Sequence, residues 1–231
     1  VYAEVVAKLA AAGARWIELH EPVLVRDQDD AIGSALTEAY AALARSAGDT
    51  NLLVHVPYGD PRAHLANLMD LPVAGVGFDL TRSPGLLSRL LNTPWPEGKF
   101  LGAGIVDGRN IWIADLAEAL TELHQLADHV GRDKLMVTSS CSLQHVPYDA
   151  ARETDLEPEL LTWLAFAEQK LGEIAVLTRA SNGSDKAAAI AQNLVVLQAK
   201  ATSALRTDQA LQQLVAGLID TDRRRGVGAA E

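Results

Sequence analysis

The sequence predicts a parallel α/β fold built from about five βα units. Short apolar runs of strand length alternate with helix-patterned runs about every 25–35 residues, the rhythm of a strand–helix–strand chain. Most of the strand-like runs are apolar on both parities, as strands covered on both faces should be. Each run also ends in a cluster of polar residues, and the edge beyond the strand ends is where such folds carry binding or chemistry.

Residues 1–13 read as an amphipathic helix. Arg15–His20 is the first strand, stopped by Glu21-Pro22, and an Ala- and Leu-rich helix follows near 29–47. Asn51–Val56 is the second strand, closed by Pro57-Tyr58-Gly59-Asp60-Pro61. A short helix at about 61–70 leads to the third strand, Val73–Leu80. A helix at about 84–92 and the turn Thr93-Pro94-Trp95-Pro96 precede the fourth strand, 99–106. The helix predicted over 113–130 carries Leu116, Leu120, Leu123, Ala127 and Val130 on one stripe. Lys134–Thr138 is the fifth strand.

Pro158 suits the first turn of a long helix over 157–180, because its missing N–H is not needed there. Leu160, Leu164, Ala167, Leu171 and Ile174 give that helix its buried face. Ser181-Asn182-Gly183-Ser184 breaks the chain, and one or two Ala/Gln/Leu-rich helices follow over 185–219, placed to cap the sheet or to bridge onward. Residues 1–180 thus form one α/β unit and 181–231 a helical extension and tail. Five strands do not close an eight-stranded barrel, which typically takes about 250 residues. The residues alone leave two readings: an open parallel sheet, or the later part of a barrel.

Composition narrows the function. The 231 residues are 48% hydrophobic but only 5% aromatic, so Leu, Ala and Val must build the core. A net charge of -10 argues against nucleic acid or an anionic membrane as partner. The basic run Arg223-Arg224-Arg225 sits in a Gly-containing tail and reads as solvated. No apolar run reaches the roughly 18 residues a membrane span needs, and the amphipathic start is not a secretory signal. The chain does not begin with Met, which points to processing or to a piece of a longer protein. A single cysteine, Cys141, excludes an internal disulfide and fits a reducing cytoplasm.

The predicted strand ends offer His20 with Glu21, His55 with Tyr58, Asp79 with Arg82, Asp107 with Arg109 and Asn110, and Ser139-Ser140-Cys141 with His145. A His–Glu pair such as His20-Glu21 can hold a hydroxyl or amine or run acid–base chemistry, or simply close a loop. Asp79 and Arg82 either form an ion pair that fixes their loop or contact a ligand, with the ion pair at least as well supported. Asp107-Gly108-Arg109-Asn110 reads as a tight turn with Gly108 at positive φ. Arg109 either grips a carboxylate with its forked guanidinium or ties Asp107 to neighbouring carbonyls. Trp112 reads as packing, and Cys141 as inert packing, a nucleophile or a metal ligand. His64, His124 and His129 read as surface residues on helices. Local zinc spacings, dinucleotide and phosphate loops, and a Gly-x-Ser-x-Gly elbow are all missing.

Several of these segments together resemble the N-terminal barrel domain of the cobalamin-independent methionine synthase family. They are Trp16–Pro22, Leu71-Pro72-Val73 with Gly77–Leu80, Gly104–Trp112, Ser139–Pro147 and Trp163–Leu171. The resemblance implies a partial (β/α)₈-type barrel of about five βα units followed by C-terminal helices. It implies a part in methyl transfer from a methyltetrahydrofolate polyglutamate to homocysteine, in methionine biosynthesis. In that family zinc and homocysteine belong to a second, C-terminal barrel, and cobalamin is not used. The N-terminal barrel serves as scaffold and folate-side surface, and its known folate-tail residues would precede Val1, so none carries over.

The expected role of this chain is therefore scaffold and folate-side wall, inactive alone, with His20, Glu21, Asp107, Arg109 and Asn110 facing substrate. Self-association through an open barrel edge is the expected behaviour of an incomplete barrel. His20 departs from the family, which usually has Asp there. His55, Asp79 and Cys141 fall near strand ends that in the catalytic barrel supply zinc ligands, although a fourth position is Pro57, which cannot ligate. Two rival readings remain: a non-catalytic stand-alone binding or pseudoenzyme module, and a small zinc-dependent thiol methyltransferase working through those three residues.

Overall fold

The computed structural model describes residues 1–26, 31–206 and 208–217. The Arg223–Arg225 run and the first two positions of the predicted 29–47 helix lie outside the described residues. The chain runs α1 (Tyr2–Ala11), β1 (Trp16–His20), α2 (Ala31–Ala47), β2 (Asn51–Val56), α3 (Leu65–Asp70), β3 (Gly75–Asp79), α4 (Leu86–Asn92), β4 (Phe100–Val106), α5 (Leu116–Val130) and β5 (Leu135–Ser139). Four further helices follow among the described residues: α6 (Pro158–Leu161), α7 (Ala167–Ser181), α8 (Ala187–Thr202) and α9 (Gln209–Ala216).

The five strands pair in sequence order, all parallel, and curl into a half-barrel with helices on its convex side. Among the described residues β1 and β5 each keep one unpaired edge. No described helix is long and apolar enough to cross a membrane.

The two sheet faces differ in chemistry, and the register shows why. Ile17, Leu52, Val54, Val76, Phe78, Leu101 and Ala103 point outward into one core with Leu36, Tyr40, Leu68, Leu86, Leu90, Leu123 and Leu126 of the helices. The opposite parity carries Glu18 and His20, then Leu53 and His55, then Gly75, Gly77 and Asp79, then Gly102 and Gly104. Strands apolar on both parities were expected; the helix-facing parity is so, while the other is mixed. Toward the strand ends the concave face is polar or bare, with Glu18, His20, His55 and Asp79 beside Gly77, Gly102 and Gly104, while Leu53 and Phe100 are apolar at its base. Its glycines make room for β2: a Cβ at Gly75 would meet the Leu53 side chain at 2.7 Å, and one at Gly77 would meet His55 Nδ1 at 2.5 Å.

The helix predicted over 113–130 starts at Leu116, because Asp115 caps it by accepting from the Ala117 and Glu118 N–H groups. The long helix predicted over 157–180 is two helices. Between them the chain pairs antiparallel with the segment after β4: Ile113 N–H donates to Trp163 O (2.9 Å) and Ala165 N–H to Ile111 O (2.8 Å). These backbone groups are satisfied by the bridge and cannot also serve a helical turn. The break rotates the buried face. Phe166, Lys170, Glu173 and Leu177 point inward, while Leu171 is 54% exposed. α8 lies against α5, where Asn193 accepts from Leu116 N–H (3.1 Å) and donates to Ala114 O (2.9 Å). His129 is half-buried rather than a surface residue, with Nε2 on the Thr93 carbonyl at 2.9 Å.

Candidate functional site

The C-terminal ends of all five strands meet on one rim, and the polar residues singled out above gather there. His20 and His55 are register partners on β1 and β2, with ring centroids 5.1 Å apart. His20 Nε2 donates to Glu18 Oε1 at 2.8 Å, and that carboxylate also lies 3.7 Å from His55 Nδ1. The His20 hydrogen bond holds the Glu18 carboxyl below its ordinary value, burial opposes this, and the charge of nearby His55 assists. His55 is fully buried and its Nε2 donates to the Ser140 carbonyl at 2.9 Å. Burial pushes the pKa of its imidazole down, against the pull of Ser140 and Glu18. Glu21 turns away from this pair: its carboxylate accepts from the hydroxyl of buried Tyr40 on α2, at 2.7 Å. That contact ties the loop after β1 to the helix layer.

Asp79 ends β3 fully buried, and its two oxygens are occupied. Oδ2 accepts from the Tyr58 N–H (3.0 Å), and Oδ1 accepts from the Thr81 N–H (2.9 Å), the Thr81 hydroxyl (2.7 Å) and the Arg82 N–H (3.2 Å). The expected Asp79–Arg82 ion pair does not form. The Arg82 guanidinium reaches Asp107 instead, at 3.5 Å. Asp79 thus pins two loops, including Tyr58, which has φ 74°. A non-glycine residue in the left-handed region costs energy that surrounding contacts must offset.

The loop after β4 is organised by its own side chains. Asp107 accepts from Arg109 N–H (2.7 Å) and from Asn110 Nδ2 (2.8 Å), and Asn110 Oδ1 accepts from Trp112 N–H (2.9 Å). Asp107 and Asn110 therefore shape the turn. Arg109 is the group the turn presents: its guanidinium lies over the Tyr58 ring, 5.1 Å from the centroid, and among the described residues it meets no carboxylate. The Tyr58 hydroxyl in turn lies 2.8 Å from His145 Nε2. Gly108 is not at positive φ. The turn needs glycine because a Cβ there would sit 2.7 Å from the Cys141 carbonyl and 3.0 Å from its Sγ.

Cys141 is buried, and burial pushes its thiol up, with a hydrogen bond from Ser140 opposing and the Asp79 and Asp107 charges adding. A thiol so placed is a poor nucleophile. His55, Asp79 and Cys141 converge on the rim but not as a ligand set: among the described residues no three His, Cys, Asp or Glu side chains are grouped to hold a metal ion. The reason is local. The Asp79 oxygens serve four donors, and His55 Nε2 serves Ser140. The residues present do not fit zinc.

Three contributors escaped the sequence. Glu18 is two positions before His20 on the same strand face, so period-2 counting would have paired them. Lys170 is 1% exposed beneath the β4 loop, with Nζ on Trp112 O (3.1 Å) and Asn110 Oδ1 (3.5 Å). Its place on the Phe166–Lys170–Leu177 stripe was legible, but only once the helix break was known. Thr81 carried no signal, since a hydroxyl beside an Asp is common in any loop. Trp112, expected to pack, is 39% exposed, with Lys200 Nζ 4.2 Å above its ring.

The family model described as "Cobalamin-independent synthase, N-terminal domain" matches residues 1–131. The 5-methyltetrahydropteroyltriglutamate–homocysteine methyltransferase of Kali turgidum is 42% identical over 227 residues, which is 97% of this chain and 30% of that protein. Enzyme 1 of that name from Arabidopsis thaliana is 41% identical over 232 residues, 100% of this chain and 30% of that protein. The Rhodopseudomonas palustris enzyme is 37% identical over 235 residues, 100% and 29%. The chain therefore spans about 30% of the length of the curated relatives it matches. Among solved structures, a B12-independent methionine synthase from Shewanella sp. W3-18-1 superposes with a TM-score of 0.55 at 17% identity, covering 78% of this chain and 53% of that one. That likeness is one of fold.

Proposed function

The chain belongs to the cobalamin-independent methionine synthase family, and from that premise we propose that its rim forms the folate-side wall of a methyl-transferring barrel. In this reading residues 1–180 are the barrel segment and 181–231 an extension whose α8 braces α5. The unpaired edges of β1 and β5 are where further strands would complete the barrel. The reaction served is transfer of a methyl group from a methyltetrahydropteroyl glutamate to homocysteine in methionine biosynthesis. A cytoplasmic setting fits the single free Cys141.

The observation that carries the reading is Arg109, whose guanidinium lies over the Tyr58 ring at the rim with no carboxylate of its own among the described residues. A guanidinium presented this way binds a carboxylate through two parallel N–H bonds. His145 and Arg82 lie at the same edge and add positive charge or donors. His20, beside Glu18, offers a further polar contact, while Asp107, Asn110 and Glu21 hold the loops that aim these groups. Zinc, where the family uses it, has no fitting donor set here, so no step of the chemistry is assigned to a metal held by this chain.

Calorimetric titration tests the proposal. The triglutamate form of methyltetrahydrofolate should bind more tightly than the monoglutamate. Arg109→Gln should weaken the triglutamate by roughly ten- to a hundredfold, the scale of one charge-assisted hydrogen bond. Equal affinity for both forms, or an unaffected variant, would refute it.

A further inference from the structure

A cavity lies under the loop that carries Trp112. Its volume is about 680 Å³ and its lining is mostly apolar: Trp112, Trp163, Leu160 and Leu205 form the walls, with Lys200, Arg206 and Glu157 among them. The cavity is built by the helix break described above. The antiparallel bridge between Trp112 and Leu164 brings two tryptophans from distant parts of the chain to one hollow. α8 and the turn after it close the other side.

We propose that this cavity binds an organic anion with a flat apolar body, an aromatic carboxylate or sulfonate. The volume falls within the range of small-molecule sites, which are apolar with a few placed polar groups. Trp112 offers an exposed indole face, and Trp163, 4% exposed, contributes to the floor. The Trp163 indole N–H is buried with no acceptor among the described residues. An unsatisfied buried donor normally has a reason.

The charge pattern selects the sign of the ligand. Lys200 and Arg206 are two cations on one cavity, and each meets no carboxylate within ion-pair distance among the described residues. Burial lowers the Lys200 pKa, and the nearby Arg206 charge lowers it further. Lys200 rests meanwhile on the Trp112 ring, a weaker counter-charge than a carboxylate. An anion seated between the two cations removes their mutual repulsion, and its apolar body replaces water on the tryptophans. Glu157 offsets one of the two charges and leaves the site net positive.

The test uses two fluorescent probes of similar apolar body, the anionic 8-anilinonaphthalene-1-sulfonate and the uncharged N-phenyl-1-naphthylamine. The anionic probe should bind at one site, quench tryptophan emission by energy transfer, and bind at least fivefold more tightly than the uncharged one. Lys200→Met and Arg206→Met, both at solvent-reachable positions where folding is not at risk, should each weaken the anionic probe several-fold and leave the uncharged one unchanged. Equal affinity for the two probes, or anionic binding that survives both substitutions, overturns the proposal. Neither probe is a folate, so the result stands apart from the Arg109 titration.

Discussion

The Nε2 of His55 donates to the carbonyl of Ser140 across 2.9 Å, joining the end of β2 to the loop after β5, 85 residues away. A carbonyl only accepts, so the proton sits on Nε2. Nδ1 is then left bare, buried and unpartnered beside Gly77. This bond spans the interior of the half-barrel and sets the spacing of the rim.

The first prediction concerns pH. The folded-state pKa of His55 is below its ordinary 6.5, mainly through burial. Between the folded value and 6.5 the unfolded chain binds more protons, so His55 subtracts stability as pH falls below about 6.5, by at most about 1.4 kcal/mol per pH unit. Glu173, whose carboxyl burial pushes up from 4.5, has the opposite slope above that value. The informative quantity is therefore a difference. Urea midpoints measured from pH 5 to 8 should show His55→Gln, which keeps the donor to Ser140, losing less stability on acidification than the parent. Parallel curves would contradict the assignment.

Glycine substitutions on the concave face should rank by what they strike. An added Cβ at Gly77 meets a side chain, His55, at 2.5 Å. At Gly104 it meets the Phe78 carbonyl at 2.5 Å and the Ser140 Cα at 2.9 Å, both backbone. Gly77→Ala should cost roughly 1–3 kcal/mol, and Gly104→Ala more, because backbone in a parallel ladder cannot step aside. Denaturant unfolding of the two variants gives the order directly.

Asp79→Asn replaces one acceptor oxygen with an amide that faces N–H donors. The expected loss is about 2–3 kcal/mol, the scale of hydrogen bonds to a buried charge. Because Asp79 also holds Tyr58 at its positive φ, the variant should release the ring under Arg109. Triglutamate affinity should fall along with the melting temperature. Loss of stability with affinity intact would show that the Tyr58 platform is not needed.

Cys141 should be slow to react. Its buried, raised thiol predicts modification by a disulfide reagent at pH 8 on the order of a hundredfold slower in the native protein than in denaturant. Zinc content should be the same in the parent and in Cys141→Ser. A fast native reaction, or zinc lost with the sulfur, would restore the thiol to a chemical role.

Local patterning was enough to read the parallel α/β class, the five strands within a residue or two, and the set of polar residues at their ends. Those properties are written in local order: apolar runs, helical spacing, and Gly, Pro and Asp at the stops. How the end residues divide their work follows from packing across the sheet. Asp79 looked like a partner for Arg82 three positions on, yet three N–H groups and a hydroxyl claim it, one of them from the loop after β2. Arg82 goes to Asp107, and Arg109 goes to Tyr58, each across strands that lie side by side only once the sheet has formed. The helix break at 162–166 was hidden for the same reason, since its cause is a pairing with residues 111–113, far away in the chain. Periodicity reports which face of an element is apolar. It does not report which donor reaches a given carboxylate first, because that depends on distances set by the strands curling together.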